Sequence, residues 1–181
     1  KMPKKDLVAI TGEEFVKKVL EGEKDFAEIR LEKGYDLGRH PELQDYLNAQ
    51  RRMKEDPLIV TGSVFEGLNA RGLVVHGMQA ERTEFTDSNL EAAFFSGNFK
   101  YAVFVRVTKL NYADFFHSEL EHATFAHIEM RGAKIGGSGV REATFRYLDL
   151  SNAHFDGADM SKVVFQGNVG LYNACFENCD L

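Results

Sequence analysis

The chain has 181 residues, with 28 acidic against 22 basic side chains, a formal net charge of −6 and 44% hydrophobic residues. The acidic balance argues against a general phosphate-binding surface, and so against direct nucleic-acid contact. No apolar run is long enough to span a bilayer, Lys1–Ile10 lacks the apolar stretch of a signal peptide, and two cysteines are too few for a disulfide framework. A cytoplasmic chain of one domain, or one domain plus a cap, is expected.

Thr11-Gly12-Glu13-Glu14 is a capping-box pattern, and Phe15, Val16, Val19 and Leu20 then fall on one helical face. With Gly22 as the residue just past its end, a helix is expected at about 12–21. Phe26 and Leu31 are five apart, and Leu37 comes after one extra residue, as an isolated first piece of a repeat. Pro41 opens a second helix whose apolar side is Leu43, Tyr46, Leu47 and Met53, and Pro57 closes it. Residues 38–56 then form a helical excursion covering an edge of the main repeat. The chain divides into a capping region, 1–57, and a repeat region, 58–181.

From Val60 to Phe165 every fifth residue is apolar except Lys100, 21 positions of 22. Period five is neither the 3.6 of a helix nor the 2 of a flat strand. A fixed short period marks a solenoid whose repeats bury one stripe against their neighbours. Two places before the centre, 13 of the 22 residues are Ala, Ser or Thr. One large residue fills the axis, a small one fits beside it at the corner, and three others face out. Two defects interrupt the phase. Lys100 occupies an axial position, where a buried unpaired ammonium is costly. Phe99 and Phe104 sit one place early, so a slip is expected that turns both inward and Lys100 outward. Between Phe165 and Phe176 the step is 11 rather than 10, which places one inserted residue near Gly167–Gly170.

Ala113-Asp114-Phe115, Leu148-Asp149-Leu150 and Ala158-Asp159-Met160-Ser161 resemble the A(D/N)LXX consensus of the pentapeptide-repeat family. The resemblance covers about two thirds of the chain, in over twenty consecutive pentads. It implies an all-β solenoid: a right-handed quadrilateral β-helix with four pentads per coil, one per face. Residues 58–165 then make about five coils, rising on the order of 25 Å at the spacing of paired strands. It also implies a non-enzymatic role in binding a protein partner. One branch of the family mimics duplex DNA in shape and charge and protects or inhibits DNA gyrase, which supplies the alternative. The repeat region carries 10 basic and 15 acidic residues, an acidic tower, yet no long loop interrupts it and no dimerising helix ends it.

The quarter turn per pentad sends His117, His122 and His127 to three different faces, so they are not expected to gather a metal. Residues 20 apart become neighbours instead. His122 then lies under Glu142 and Lys162, Glu121 under Arg141, and Glu91 near Asn111 and Arg131, as solvated ladders of mixed sign. Phe94 and Phe116 flank axial residues on one face and point outward near Val74 and His76. Tyr101 and Tyr112 are outward by phase. These six residues form the candidate interaction patch, unless the N-terminal segment or the second helix covers it. No catalytic motif, metal site or cofactor site is evident, and Gly136-Gly137-Ser138-Gly139 sits inside the pentads as small corner residues. Cys175 falls outward by phase, and Cys179 takes a small corner position. A coil ending on Leu181 leaves strand groups open, so the expectation there is an end-to-end homodimer or further residues.

Overall fold

The computed structural model describes residues 6–50 and 56–181. Met53 and the end of the expected second helix lie outside the described residues. Among the described residues ten short strands and two helices run in the order β1 (Val8–Ile10), α1 (Gly12–Leu20), β2 (Ile29–Leu31), α2 (Pro41–Gln50), β3 (Val64–Glu66), β4 (Val74–Gln79), β5 (Glu84–Thr86), β6 (Phe94–Asn98), β7 (Val103–Val105), β8 (Thr124–Ala126), β9 (Thr144–Asp149) and β10 (Val164–Gly170). A single 3₁₀ turn, Leu37–Arg39, precedes α2.

All strand pairing is parallel, and most of it is between residues 20 apart: Val64 with Glu84, Phe125 with Phe145, Val75 with Phe95. The pentads therefore wind into coils of four sides. We number these faces by their axial residues, the first through Val60 and Ala80, the second through Phe65 and Phe85, the third through Ala70 and Leu90, the fourth through Val75 and Phe95. Each axial residue starts a turn whose third residue has positive φ, as at Ala92 (56°), Tyr112 (59°) and His122 (60°). The axial carbonyl accepts from the amide three residues on, as Leu110 does from Ala113 at 3.0 Å. This is why a small residue must come after each corner: it sits inside the bend, and Ala93, Ala113, Ala133 and Ala143 are fully buried there.

The interior is a set of stacked columns. On the second face Phe65, Phe85, Phe104, Phe125 and Phe145 stack with ring centroids 4.9–5.1 Å apart. Burying each such ring contributes about 1.5–3 kcal/mol from the solvent term alone. Where the corner residue is Ser, its hydroxyl reaches the coil before. Ser118 Oγ donates to the Phe95 carbonyl at 3.0 Å and Ser138 Oγ to the Phe115 carbonyl at 2.6 Å. The small-residue pattern signalled the space at these corners; the hydrogen bond is what the hydroxyl adds.

The slip is where the sequence placed it. Phe99 and Phe104 are fully buried, and the Lys100 ammonium turns out to Glu119 at 2.8 Å. Phe104 pairs with Phe85, 19 residues back, and with Phe125, 21 ahead, so one residue is lost before Phe99 and regained after Phe104. The regained residue makes a corner of Arg106 and Val107, both at positive φ. The insertion near the C-terminus is present too, as a register shift between Gln166 and Val169.

Below the regular coils, residues 25–37 supply three sides of a further coil. Asp25 bridges to Ile59, Arg30 pairs with Val64, and Asp36 bridges to Asn69. The fourth side is replaced by α2, which packs on β4 and holds the Val74 amide through Gln44 Oε1 at 3.0 Å. The α1 helix closes the base. Thr11 Oγ1 caps it by accepting from the Glu14 amide at 3.1 Å, and Phe15 meets Phe26 edge to face at 4.8 Å. The Tyr35 ring fills the space that a side chain on Gly12 would need. Where the helices meet the tower an apolar cavity of about 40 Å³ remains, bordered by Val19, Leu37, Leu43 and Leu58.

Candidate functional site

The fourth face displays two outward columns on the parallel strands beside its axial residues. From the base upward, one column reads Val74, Phe94, Asp114, Lys134, His154, Cys175, each bridged to the next. The other reads His76, Ser96, Phe116, Gly136, Asp156, Glu177. Sequence alternation about the axial residue aims both columns at solvent.

The lower half is aromatic. Phe94 and His76 are half-buried with rings 4.9 Å apart, and Phe116 is 48% exposed. The Phe116 ring lies edge-on to His117 at 3.9 Å, next to Gly136. Tyr112, 65% exposed, stands at the corner between the third and fourth faces, with its ring over Gly132. Five residues of the candidate patch thus share a face or its edge. Val74 among them is partly covered by α2 through Gln44. Tyr101 belongs elsewhere. It sits on the diagonally opposite corner, stacked between Arg82 and the His122 ring, 4.6 Å from the latter.

The corner histidines obey the quarter-turn expectation. His117, His122 and His127 occupy three successive corners, at φ 57°, 60° and 56°. His122 Nδ1 lies 3.3 Å from Glu142, and His127 stacks on Tyr147 at 4.9 Å. The ladders differ in detail from the expected pairs. Arg141 turns to Glu142 at 3.5 Å rather than to Glu121. Glu91 pairs one coil down with Arg71 at 3.6 Å, while Arg131 pairs with Asp149 at 2.6 Å. Long cationic side chains reach sideways as readily as up the tower, and period alone does not choose between these partners.

The upper half of the face holds a constellation that period-20 reasoning missed. Among the described residues, His154, Asp156 and Cys175 bring a ring nitrogen, a carboxylate oxygen and a thiol sulfur within 4.8 Å of one another. A strict period of 20 pairs His154 with Ala174. The insertion between Gln166 and Val169 brings Cys175 there instead, so the signal lay in combining two features already visible. The Asp156 carboxylate stays below the ordinary aspartate range, chiefly through the hydrogen bond from Cys175 and also through the Glu177 amide and His154. The Cys175 thiol is pushed up, chiefly by that same bond to Asp156. Cys179 behaves differently. Its Sγ–H points at the Phe155 carbonyl at 2.9 Å, in the place a corner serine hydroxyl takes on lower coils, and burial raises its pKa.

Parallel strands wound on four sides around an aromatic axis define a quadrilateral β-helix. Residues 120–164 match the family model for pentapeptide repeats, in nine copies. That stretch carries pentapeptide repeats, and the fold of the chain is the right-handed quadrilateral β-helix. Among solved structures it is similar to Rfr23, a pentapeptide repeat protein from the cyanobacterium Cyanothece 51142, with a TM-score of 0.53 and 15% identity over 69% of this chain and 96% of that one. It also matches HetL, a pentapeptide repeat protein involved in heterocyst differentiation regulation from Nostoc sp. strain PCC 7120, with a TM-score of 0.33 and 13% identity over 95% of both chains. QnrB1, a plasmid-mediated fluoroquinolone resistance protein, matches with a TM-score of 0.29 and 18% identity over 68% of this chain and 82% of that one. Only the first of these scores is high enough to bear on the fold. No curated protein matches the sequence.

Proposed function

We propose that the chain is a non-enzymatic scaffold whose fourth face binds a protein partner. The observation that carries this reading is the aromatic lower half of that face. Phe116 and Tyr112 stand 48% and 65% exposed beside Phe94 and His76, all on elements fixed by the coil. Rigid exposed aromatics are preferred anchors at protein interfaces, because their burial is large and their ordering is already complete. Salt-paired ladders such as Arg71 with Glu91 and Lys100 with Glu119 contribute little to binding at exposed sites. Among the described residues no helix is long and apolar enough to cross a membrane.

The test is affinity capture from the source cell with the tagged chain, read by quantitative mass spectrometry. A Tyr112→Ser/Phe116→Ser variant is expected to bind its partner roughly thirtyfold more weakly or worse, since an anchor of this kind contributes about 2 kcal/mol. Tyr147→Ser, at a corner 50% exposed and away from this face, is expected to retain it. Equal capture by the double variant contradicts the reading. Purified DNA gyrase enters the same assay as the DNA-mimic alternative. That alternative needs a continuous negative stripe, whereas pairs such as Arg71 with Glu91 and Arg131 with Asp149 break the charge of the columns. No change in gyrase supercoiling, with or without a quinolone, is the expected result.

A further inference from the structure

The same face carries a second chemistry in its upper half. His154, Asp156 and Cys175 project from two consecutive coils onto one flat surface, with their ligand-type atoms within 4.8 Å of one another. We propose that these three residues bind a divalent transition metal of borderline softness, Zn²⁺ in the first instance.

The donor set defines the metal class. One imidazole nitrogen, one carboxylate oxygen and one thiolate sulfur suit Zn²⁺ and Co²⁺ rather than Mg²⁺ or Ca²⁺, which take oxygen ligands. Bonds of about 2.0–2.3 Å in a tetrahedron place ligand atoms roughly 3.5 Å apart. The observed spread, within 4.8 Å, has to close by roughly 1 Å, on a backbone that the ladder holds in place. The Cys175 amide donates to the Ala153 carbonyl and the Phe155 amide to the Cys175 carbonyl, both at 2.9 Å. Asp156 is aimed as well. Its Oδ1 accepts from the Glu177 amide at 3.3 Å and its Oδ2 lies 3.6 Å from His154 Nδ1. Three protein ligands on an outer face leave the fourth position to water. Nearby charge is mixed. Glu177, opposite Asp156 on the next coil, adds a negative group, and Lys134 lies one coil below His154 on a flexible stem that lets its ammonium withdraw. On binding, the Cys175 thiol gives up its proton to solvent and the sulfur takes the metal in its place.

The site has a structural consequence. Phe155 and Phe176 are stacked axial residues of successive coils, 5.1 Å apart, and the ligands flank them. A bound ion therefore staples the coil ending near Leu181 to the one beneath it, across the inserted residue.

The experiment is a titration of the reduced chain with Co²⁺ alone, monitored by visible and near-ultraviolet absorption. One equivalent is expected to produce tetrahedral d–d bands and a thiolate-to-metal charge-transfer band, both removed by added Zn²⁺. Cys175→Ser is expected to abolish the charge-transfer band. His154→Ala and Asp156→Asn are expected to weaken Co²⁺ binding by on the order of 100-fold, at least the cost seen for partners one step removed from a metal. Cys179→Ser keeps a donor for the Phe155 carbonyl and is expected to leave the spectrum unchanged. Zn²⁺ is also expected to slow amide hydrogen exchange across residues 164–181 in the parent chain and not in Cys175→Ser. Circular dichroism of each variant reports that the coil is intact. A spectrum without the thiolate band in the parent chain overturns the proposal. So does a band that survives Cys175→Ser or disappears in Cys179→Ser.

Discussion

Asp149 shows how much a single outward side chain does on this tower. Its Oδ1 accepts from the Ser151 amide at 2.9 Å and hydroxyl at 2.5 Å, and its Oδ2 accepts from Arg131 Nε at 2.6 Å. The Ser151 hydroxyl foremost, then its amide and Arg131, hold the Asp149 carboxyl below the ordinary aspartate range. A depressed folded-state pKa stabilises the fold above the unfolded value and stops doing so as pH falls through the folded one. Asp149→Asn is therefore expected to lower the urea midpoint at neutral pH, with the gap to the parent chain closing as pH falls below about 4. A gap that stays constant down to about pH 2 contradicts this linkage. Ser151, like Ser161 beside Asp159, recurs two places after the acidic residue, so the D-x-S that these two pentads share is a local hydrogen-bonding motif as well as a spacing.

At the scale of the element, the pentad is a strand of two or three residues and a corner, and its tolerance for error is set by the axis. The slip at 98–104 keeps the axis apolar and sacrifices the spacing. Phe99 is fully buried, with its ring 5.6 Å from that of Phe115, whereas Lys100 reaches Glu119 at the surface. Phe99→Ala is expected to destabilise the fold by about 3–5 kcal/mol in urea unfolding. Lys100→Ala is expected to stay within about 0.5 kcal/mol, as for other surface positions. A regular ladder through residue 100 would reverse that order. The axis was legible in the sequence because only a large apolar residue fits there, and so were both defects, because a charged axial residue and an 11-residue step have no other cheap solution. The α1 helix was legible from Thr11 and its apolar face. The role of α2 as the missing fourth side was not, because the pairing of Asp25, Arg30 and Asp36 with the first full coil spans more than 30 residues without a periodic signal. The aromatic patch was legible except for Tyr101, whose outward phase was right but whose corner is opposite. The His154–Asp156–Cys175 group was missed because the insertion was used to set the phase of Cys175 but not to find its neighbour on the coil below, which is His154, 21 residues back.

For the molecule as a whole, four rigid faces carry four different surfaces around one core. The second face offers half-buried β-branched residues, Val103, Val105, Thr124 and Thr144, on its outer side. The corner between the first and second faces stacks Arg82, Tyr101, His122 and Glu142. The fourth face alone combines exposed aromatic rings below with clustered ligand-type side chains above. A net charge of −6 spread through paired ladders gives solubility and weak steering more than recognition. Recognition on this account is therefore confined to one side of the tower. The direct measurement is photo-crosslinking in the source cell from one outward position per face: Glu119 on the first, Thr124 on the second, Lys109 on the third and Ser96 on the fourth. The account predicts a discrete crosslinked partner from position 96 and none from the other three. A partner captured equally from positions 109 or 124, or none from position 96 while another face yields one, would contradict it.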